Sequence, residues 1–370
     1  MKNMQMQTFI FYSSLFLLSL FFCWLGEKNK SKSKIAIFLA IFPLWFINVF
    51  RSMRVGTDYI NVGNTYYNIV MGSYNNNYNW FWFPLRIFCK IIGLLFGPNP
   101  FVFYFFIGTM TMYFLYKIII KSENKTFSLF LFIVFGLYLQ SFNQSRQILA
   151  LIIILYALFY INDKNNKIKY FLLVALASVF HESALIFVPL YFLKNIKINK
   201  KVLTIYCISA LVLLVSNNIL VSIISHTKYV IYFSSQYNLS NVKTTLLNLC
   251  VRIILLIFCM KSCKEDLEKN FENNIVYNYC MHMAIICCIL QFLVTKYYFL
   301  GRLTTYFYAF YVILLPKAIC NFYKKFKQNE YLIIVKITII IVLLLYFYIY
   351  YSSPSGSIGS GYDVYSFIFN

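Results

Sequence analysis

The amino-acid sequence predicts an all-α, polytopic integral membrane protein, and three observations predict it. Hydrophobic residues make up 61% of the 370-residue chain and charged residues 12%, where soluble domains average about 45–50% and about 25%. Apolar runs long enough to cross a bilayer, about 17–25 residues, recur along the whole sequence. Short lysine-rich connectors separate them, whereas a membrane β-barrel would show alternating segments of about 10 residues. The pattern implies about 10–12 transmembrane helices with one or two re-entrant or interfacial segments. They form a single domain over residues 1–351, followed by a Ser/Gly-rich tail over 352–370.

In chain order, long runs lie at 7–25, 101–119, 202–220, 244–260, 276–294 and 331–351, with shorter ones at 35–50, 127–140, 146–161 and 302–318. The first is too long for the apolar region of a signal peptide and lacks a small-residue cleavage site, so it is a span. Residues 81–97 carry Arg86 and Lys90 beside Trp80 and Trp82, a mixture suited to the bilayer interface. Residues 170–193 have lysines on both flanks. Two half-helices meeting near Phe180-His181-Glu182-Ser183 would return the chain to the side it left; one ordinary helix would break the lysine pattern once. The ten cysteines fall mostly within apolar runs, without CxxC pairs or zinc-type Cys/His spacing, and are expected to be packing residues.

The net charge of +22 has three candidate meanings: nucleic acid, anionic lipid or membrane topology. Basic residues in short loops between spans do not make the continuous basic face that nucleic acid requires. Twenty-one lysines occupy six connectors, at 28–34, 117–125, 164–169, 194–201, 261–269 and 317–327. Lysine-rich loops stay cytoplasmic, which puts 51–79, 140–145, 221–243, 295–301 and the tail outside. None of the six arginines is in a lysine connector. Arg51, Arg54, Arg146 and Arg302 fall at the outer ends of helices, and Arg252 about two turns deeper. Topology alone would not separate Arg from Lys in this way. A guanidinium matches phosphate oxygens bidentately, so an outer anion such as a lipid-linked pyrophosphate is one explanation; snorkelling to headgroups or pairing with a carboxylate is the other.

Eight of the eleven acids fall in the cytoplasmic connectors, leaving Asp58, Glu182 and Asp363. Asp363 sits in the polar tail and is expected to be solvated. His181 has the chemistry of an acid or base near neutral pH, although a packed histidine is an equally ordinary role. His226 and His282 lack an acid–base partner nearby and are expected to be structural. Three stretches stand out: Arg51-Ser52-Met53-Arg54-Val55-Gly56-Thr57-Asp58-Tyr59; Asn143-Gln144-Ser145-Arg146-Gln147 followed by Phe180-His181-Glu182-Ser183; and Gly301-Arg302.

Together these resemble the EpsG family of bacterial exopolysaccharide proteins, and through it the O-antigen and capsule repeat-unit polymerases. The likeness runs over roughly residues 35–320. Arg51 or Arg54 through Tyr59, Arg146-Gln147, Phe180-His181 with Ser183, and Arg302 match the family in type and order. The resemblance implies a GT-C-like glycosyltransferase bundle in the bacterial cytoplasmic (inner) membrane. It implies transfer of a glycan from a polyprenyl-pyrophosphate carrier to a sugar hydroxyl of another lipid-linked unit, at the outer face. His181, Asp58 and Arg146 would be catalytic. Arg51, Arg54, Arg146 and Arg302 would hold the pyrophosphate, with Gly56, Thr57, Tyr59, Gln147 and Ser183 in support. Partners would be the lipid-linked oligosaccharide, membrane lipid and assembly proteins such as a flippase or chain-length regulator. No metal or cofactor is expected, because pyrophosphate is already a good leaving group and the outer acids are few. The rivals are a lipid-linked oligosaccharide flippase, a membrane acyltransferase and a non-catalytic assembly component.

The lysine distribution generates one prediction. In a cysteine-replaced background, Asn64→Cys should react with an impermeant maleimide on intact cells, and Asn166→Cys should not. The reverse labelling would invert the topology.

Overall fold

Inside a bilayer a backbone has only itself to bond to, so each apolar run closes its hydrogen bonds as helix. The structure, a computed structural model, describes residues 2–74, 82–163, 166–215, 242–297, 300–325, 331–352 and 360–369. Helix accounts for 82% of the described residues, with no strand among them. Among the described residues, five helices are long and apolar enough to cross a membrane: Gln5–Lys28, Pro100–Lys121, Val242–Lys269, Glu272–Val294 and Leu300–Lys325. Ser33–Val49, Lys125–Val134, Ser145–Tyr160 and Ile337–Ile349 are shorter apolar helices. This is the architecture of a polytopic membrane protein. Trp80, Lys164, the loop 221–241 with His226, Lys327, Glu330 and residues 353–359 lie outside the described residues.

The chain forms two compact units, Met1–Val188 with Phe326–Asn370, and Pro189–Lys325. In the first unit the helices are α1 (Lys2–Lys28), α2 (Ser33–Val49), α3 (Tyr59–Val70), α4 (Phe83–Phe96), α5 (Pro100–Lys121), α6 (Lys125–Val134), α7 (Leu137–Gln140), α8 (Ser145–Ala157) and α9 (Lys167–Phe180). The run 127–140 is not one helix. Gly136 adopts φ +72° and ends α6, and the chain re-enters as the single turn of α7, with Tyr138, Leu139 and Phe142 fully buried. Broken helix is tolerated at such depth when protein surrounds it.

The segment after α9 takes the hairpin form. His181 is extended (φ −149°, ψ 111°) and stops α9; a 3-10 turn, Glu182–Ile186, follows. Tyr170 Oη then donates to the Phe187 carbonyl at 3.1 Å, so the chain has turned back along α9.

Lysine connectors gather at one end of this unit. Glu27, closing α1, accepts from Thr126 N at 3.1 Å and Thr126 Oγ1 at 2.5 Å. Lys121 and Lys169 both lie over the Tyr160 ring, at 4.8 and 5.6 Å. The second unit behaves alike. It contains α10 (Phe187–Leu190, which straddles the boundary), α11 (Lys200–Val215), α12 (Val242–Lys269), α13 (Ile275–Val294), α14 (Leu300–Tyr308) and α15 (Tyr311–Lys325). Lys325 pairs with Glu265, Lys317 with Asp266 at 3.6 Å, and Lys197 lies 4.8 Å over Phe271. His282 has both ring nitrogens engaged, with Ile196 O at 2.7 Å and Tyr206 Oη at 2.8 Å, in keeping with a structural role. Arg252 bonds Gln291 Oε1 and covers the Tyr308 ring at 4.8 Å, so its charge is held inside the unit. The last helix, α16 (Tyr331–Ser352), belongs to the first unit.

Arg51 is the principal departure from the sequence expectation. It is fully buried. Nη1 donates to the Asn48 carbonyl and Nη2 to the Phe142 carbonyl at 3.0 Å. The guanidinium sits 5.0–5.2 Å from the rings of Tyr104, Phe142 and Tyr59. Nε is buried as well and has no hydrogen-bond partner among the described residues, and with the side chain fully enclosed no surface is presented to a pyrophosphate. The pattern of charges along a sequence does not reveal that carbonyls and rings, rather than an anion, satisfy a cation.

The tail also departs from expectation. Residues 360–369 fold back on the unit: Ser52 N donates to Ser366 O at 2.8 Å, Ile368 N to Phe50 O at 2.9 Å and Gly56 N to Gly361 O at 2.9 Å. Asp363 is anchored rather than simply solvated, accepting from Gln5 Nε2 at 2.7 Å.

Arg51→Met keeps apolar bulk but strands two buried carbonyls, and should cost ~2–4 kcal/mol of stability. Detergent melting checks this against Arg54→Met, whose exposed side chain predicts no shift. Equal melting for both would remove the structural role of Arg51.

Candidate functional site

Beyond Arg51 the chain makes a tight loop. Val55 N donates to Ser52 O at 3.1 Å, and Val55 is buried. Gly56 holds φ +90°, and a Cβ there would stand 2.5 Å from Asn143 Oδ1 and 3.1 Å from the Phe142 carbonyl. Glycine is required on both counts, conformation and space. Arg54 and Thr57 are exposed and Asp58 half-buried. Asp58 heads α3 without a side-chain cap bond. Tyr59 is buried and stacked on Tyr104, ring centroids 4.0 Å apart and 15° from parallel. Tyr104 Oη donates to Tyr59 O at 2.9 Å, with Asp58 O at 3.5 Å. Burial pushes the Tyr59 phenol up, with Arg51 opposing that shift.

The second stretch turns at Ser141–Gln144 and opens α8 at Ser145. Gln147 is buried and Arg146 half-buried. A cation in the first turn of a helix opposes the macrodipole by about 0.3–1 kcal/mol, so this position favours an anion twice over, through the guanidinium and through the helix end. Arg146 lies within electrostatic reach of Tyr104 and Cys89.

The third stretch ends α9. His181 Nδ1 and Ser183 Oγ share a hydrogen bond of 2.5 Å, which holds the ring in place and is compatible with either tautomer, since a hydroxyl can donate or accept. Trp82 Nε1 donates to Val179 O at 2.8 Å, and Phe88 meets Phe180 edge-on at 5.2 Å. These contacts bring the start of α4 to the same place.

Helices α8 and α9 are joined by a short connector and pack antiparallel, so the beginning of one and the end of the other coincide. Arg146 and His181 therefore share one end of the first unit, opposite the lysine connectors. The Gly56–Asp58 loop lies against the turn that leads into α8, where Asn143 Oδ1 accepts from Asp58 N at 3.5 Å. Arg54 projects from the same loop as Asp58, exposed. Arg51 is displaced into the core, and Gln147 and Tyr59 are packing residues around the site rather than surfaces of it. Arg302 lies in the second unit, exposed in the first turn of α14. Among the described residues, no three His, Cys, Asp or Glu side chains are grouped to hold a metal ion.

Sequence reasoning missed two participants. Tyr104 is hidden in an apolar run where nothing distinguishes it from other tyrosines. Asn143 was visible at the start of the second stretch, but its partners are remote: its Nδ2 donates to Ser360 O at 2.8 Å, across 217 residues.

The sequence profile described as the EpsG family matches residues 34–367. No curated protein and no solved structure matches the chain.

Proposed function

The chain belongs to the EpsG family, and from that premise we propose that it is a polysaccharide repeat-unit polymerase acting at the outer face of the cytoplasmic membrane. Its donor is an oligosaccharide on polyprenyl pyrophosphate, and its acceptor a sugar hydroxyl of a second lipid-linked unit. The bond between the anomeric carbon and the pyrophosphate oxygen breaks, a glycosidic bond to the acceptor oxygen forms, and the acceptor proton passes to a base. The observation that supports this reading is that the Asp58 loop, the turn leading to Arg146 and the end of α9 with His181 lie at one end of the first unit.

Departure of the lipid pyrophosphate builds negative charge, and a preorganised guanidinium at a helix start lowers the barrier to it. Arg54, exposed on the neighbouring loop, adds a second cation. His181, its Nδ1 held by Ser183, takes the acceptor proton, since imidazole is suited to that transfer near neutral pH. Asp58 orients the acceptor hydroxyl. The segregation of lysine from arginine supports the outer placement.

Reconstitution with a polyprenyl-pyrophosphate oligosaccharide tests the reading. A ladder of lengthening products is expected; lipid moved across the bilayer without elongation would make the protein a flippase. Arg146→Lys should keep the charge yet lower elongation by about 10²-fold, because the planar fork is lost. Unchanged chain length would remove the pyrophosphate clamp. His181→Ala should insert and melt normally while elongating at least about 10²-fold more slowly; wild-type rates would return His181 to packing.

A further inference from the structure

The tail and the Gly56–Asp58 loop meet on one side chain. Asn143 Oδ1 sits under Gly56, so close that only glycine fits, and receives Asp58 N at a long 3.5 Å. Its Nδ2 donates to Ser360 O at 2.8 Å. Its own backbone N donates to Gln140 O at 3.1 Å, within the turn that opens α8 and carries Arg146 three residues later. Around this point the tail is held by several independent bonds. Gly361 O accepts from Gly56 N at 2.9 Å, Ser52 and Ser366 hydroxyls lie 2.6 Å apart, and Tyr365 Oη donates to Ile47 O at 3.0 Å. Phe142 and Tyr362 meet edge-on at 6.0 Å.

We propose that Asn143 is a positioning residue that holds Asp58 in register with Arg146, with residues 360–369 acting as a fixed strap that completes the site. Asn143 is rigidly tied to Arg146 through the turn and to Asp58 through its amide oxygen. The strap supplies the acceptor that orients the amide. A carboxamide is suited to this place because it donates on one side and accepts on the other. Alanine loses both bonds. Aspartate keeps the acceptor but sets a negative charge against the Ser360 carbonyl. The role rests on the polymerase reading for its kinetic consequence, since a displacement of about 1 Å at a reacting group can cost about 10²-fold in rate. Its geometric consequence stands apart from that reading.

Two measurements on the full-length protein test it. The first compares wild type with Asn143→Ala and Asn143→Asp. Amide hydrogen exchange should quicken at least about 10-fold in peptides covering 52–58 and 360–369, and stay unchanged in α5 and α9. In the reconstituted assay kcat should fall about 10–100-fold with the donor KM within about 3-fold. Unchanged exchange in both peptides, or wild-type kcat with altered exchange, would overturn the positioning role. A wild-type protein that does not elongate at all would instead overturn the polymerase reading, and the exchange result would still decide the joint. The second measurement uses the double variant Ser52→Cys with Ser366→Cys. Diamide oxidises the two thiols to a disulfide, located by peptide mapping, with wild type as the oxidant control. Full elongation in the cross-linked form is expected of a fixed strap. Loss of elongation on oxidation and recovery on reduction would mean that the segment must open, and would overturn the proposal.

Discussion

A guanidinium buried without a carboxylate organises this end of the molecule. Withdrawing a cation from water costs several kcal/mol even after relaxation, so Arg51 is tolerated only while every compensating group is in place. Those groups come from different parts of the chain: the carbonyls of Asn48 and Phe142, and the rings of Tyr59, Tyr104 and Phe142. The end of α2, the start of α3, the beginning of α5 and the turn before α8 must therefore assemble together. The loop carrying Arg54 and Asp58 and the turn carrying Arg146 are positioned as a by-product of satisfying one charge. Cation–π contacts gain strength when desolvated, which suits a site walled by tyrosine and phenylalanine.

The basic residues divide by chemistry as well as by place. Lysine, a hydrated point charge on a flexible stem, collects at one end of each unit, where exposed acids meet it, as Glu265 and Asp266 do with Lys325 and Lys317. In the first unit Arg51, Arg54 and Arg146 are found at the other end, at helix boundaries or inside the protein. There the planar fork of arginine takes fixed acceptors, carbonyls at Arg51 and, in the proposed reaction, phosphate oxygens at Arg146. Two residues of one type three positions apart, Arg51 and Arg54, thus take opposite roles, one as a core ligand and one as an exposed cation.

The helical architecture was legible because a bilayer leaves the backbone no other choice, and because long apolar runs have no soluble explanation. The lysines flanking 170–193 left two forms open, a pair of half-helices broken near His181 or one ordinary helix, and the structure breaks the helix at His181. The break at Gly136 was not anticipated: a single glycine in an apolar run is compatible with continuous helix until the surrounding protein dictates otherwise. Nor was the burial of Arg51, since its partners are carbonyl oxygens that every residue possesses. The strap was read as a polar tail because its composition is that of a loop, and its bonds to Gln5, Thr8 and Ser52 span more than 300 residues. Local pattern reports on local structure, while joints between distant segments leave no periodic trace.

The central claim is that one end of the first unit couples glycosidic bond formation to departure of a lipid pyrophosphate. The most direct measurement is the stoichiometry of polyprenyl pyrophosphate released per glycosidic bond formed, in proteoliposomes containing this protein alone and a labelled lipid-linked oligosaccharide. The account predicts one carrier released for each bond, on the side where an impermeant maleimide reaches the Asp58 loop. Carrier retained on its glycan while the labelled lipid crosses the bilayer would contradict it.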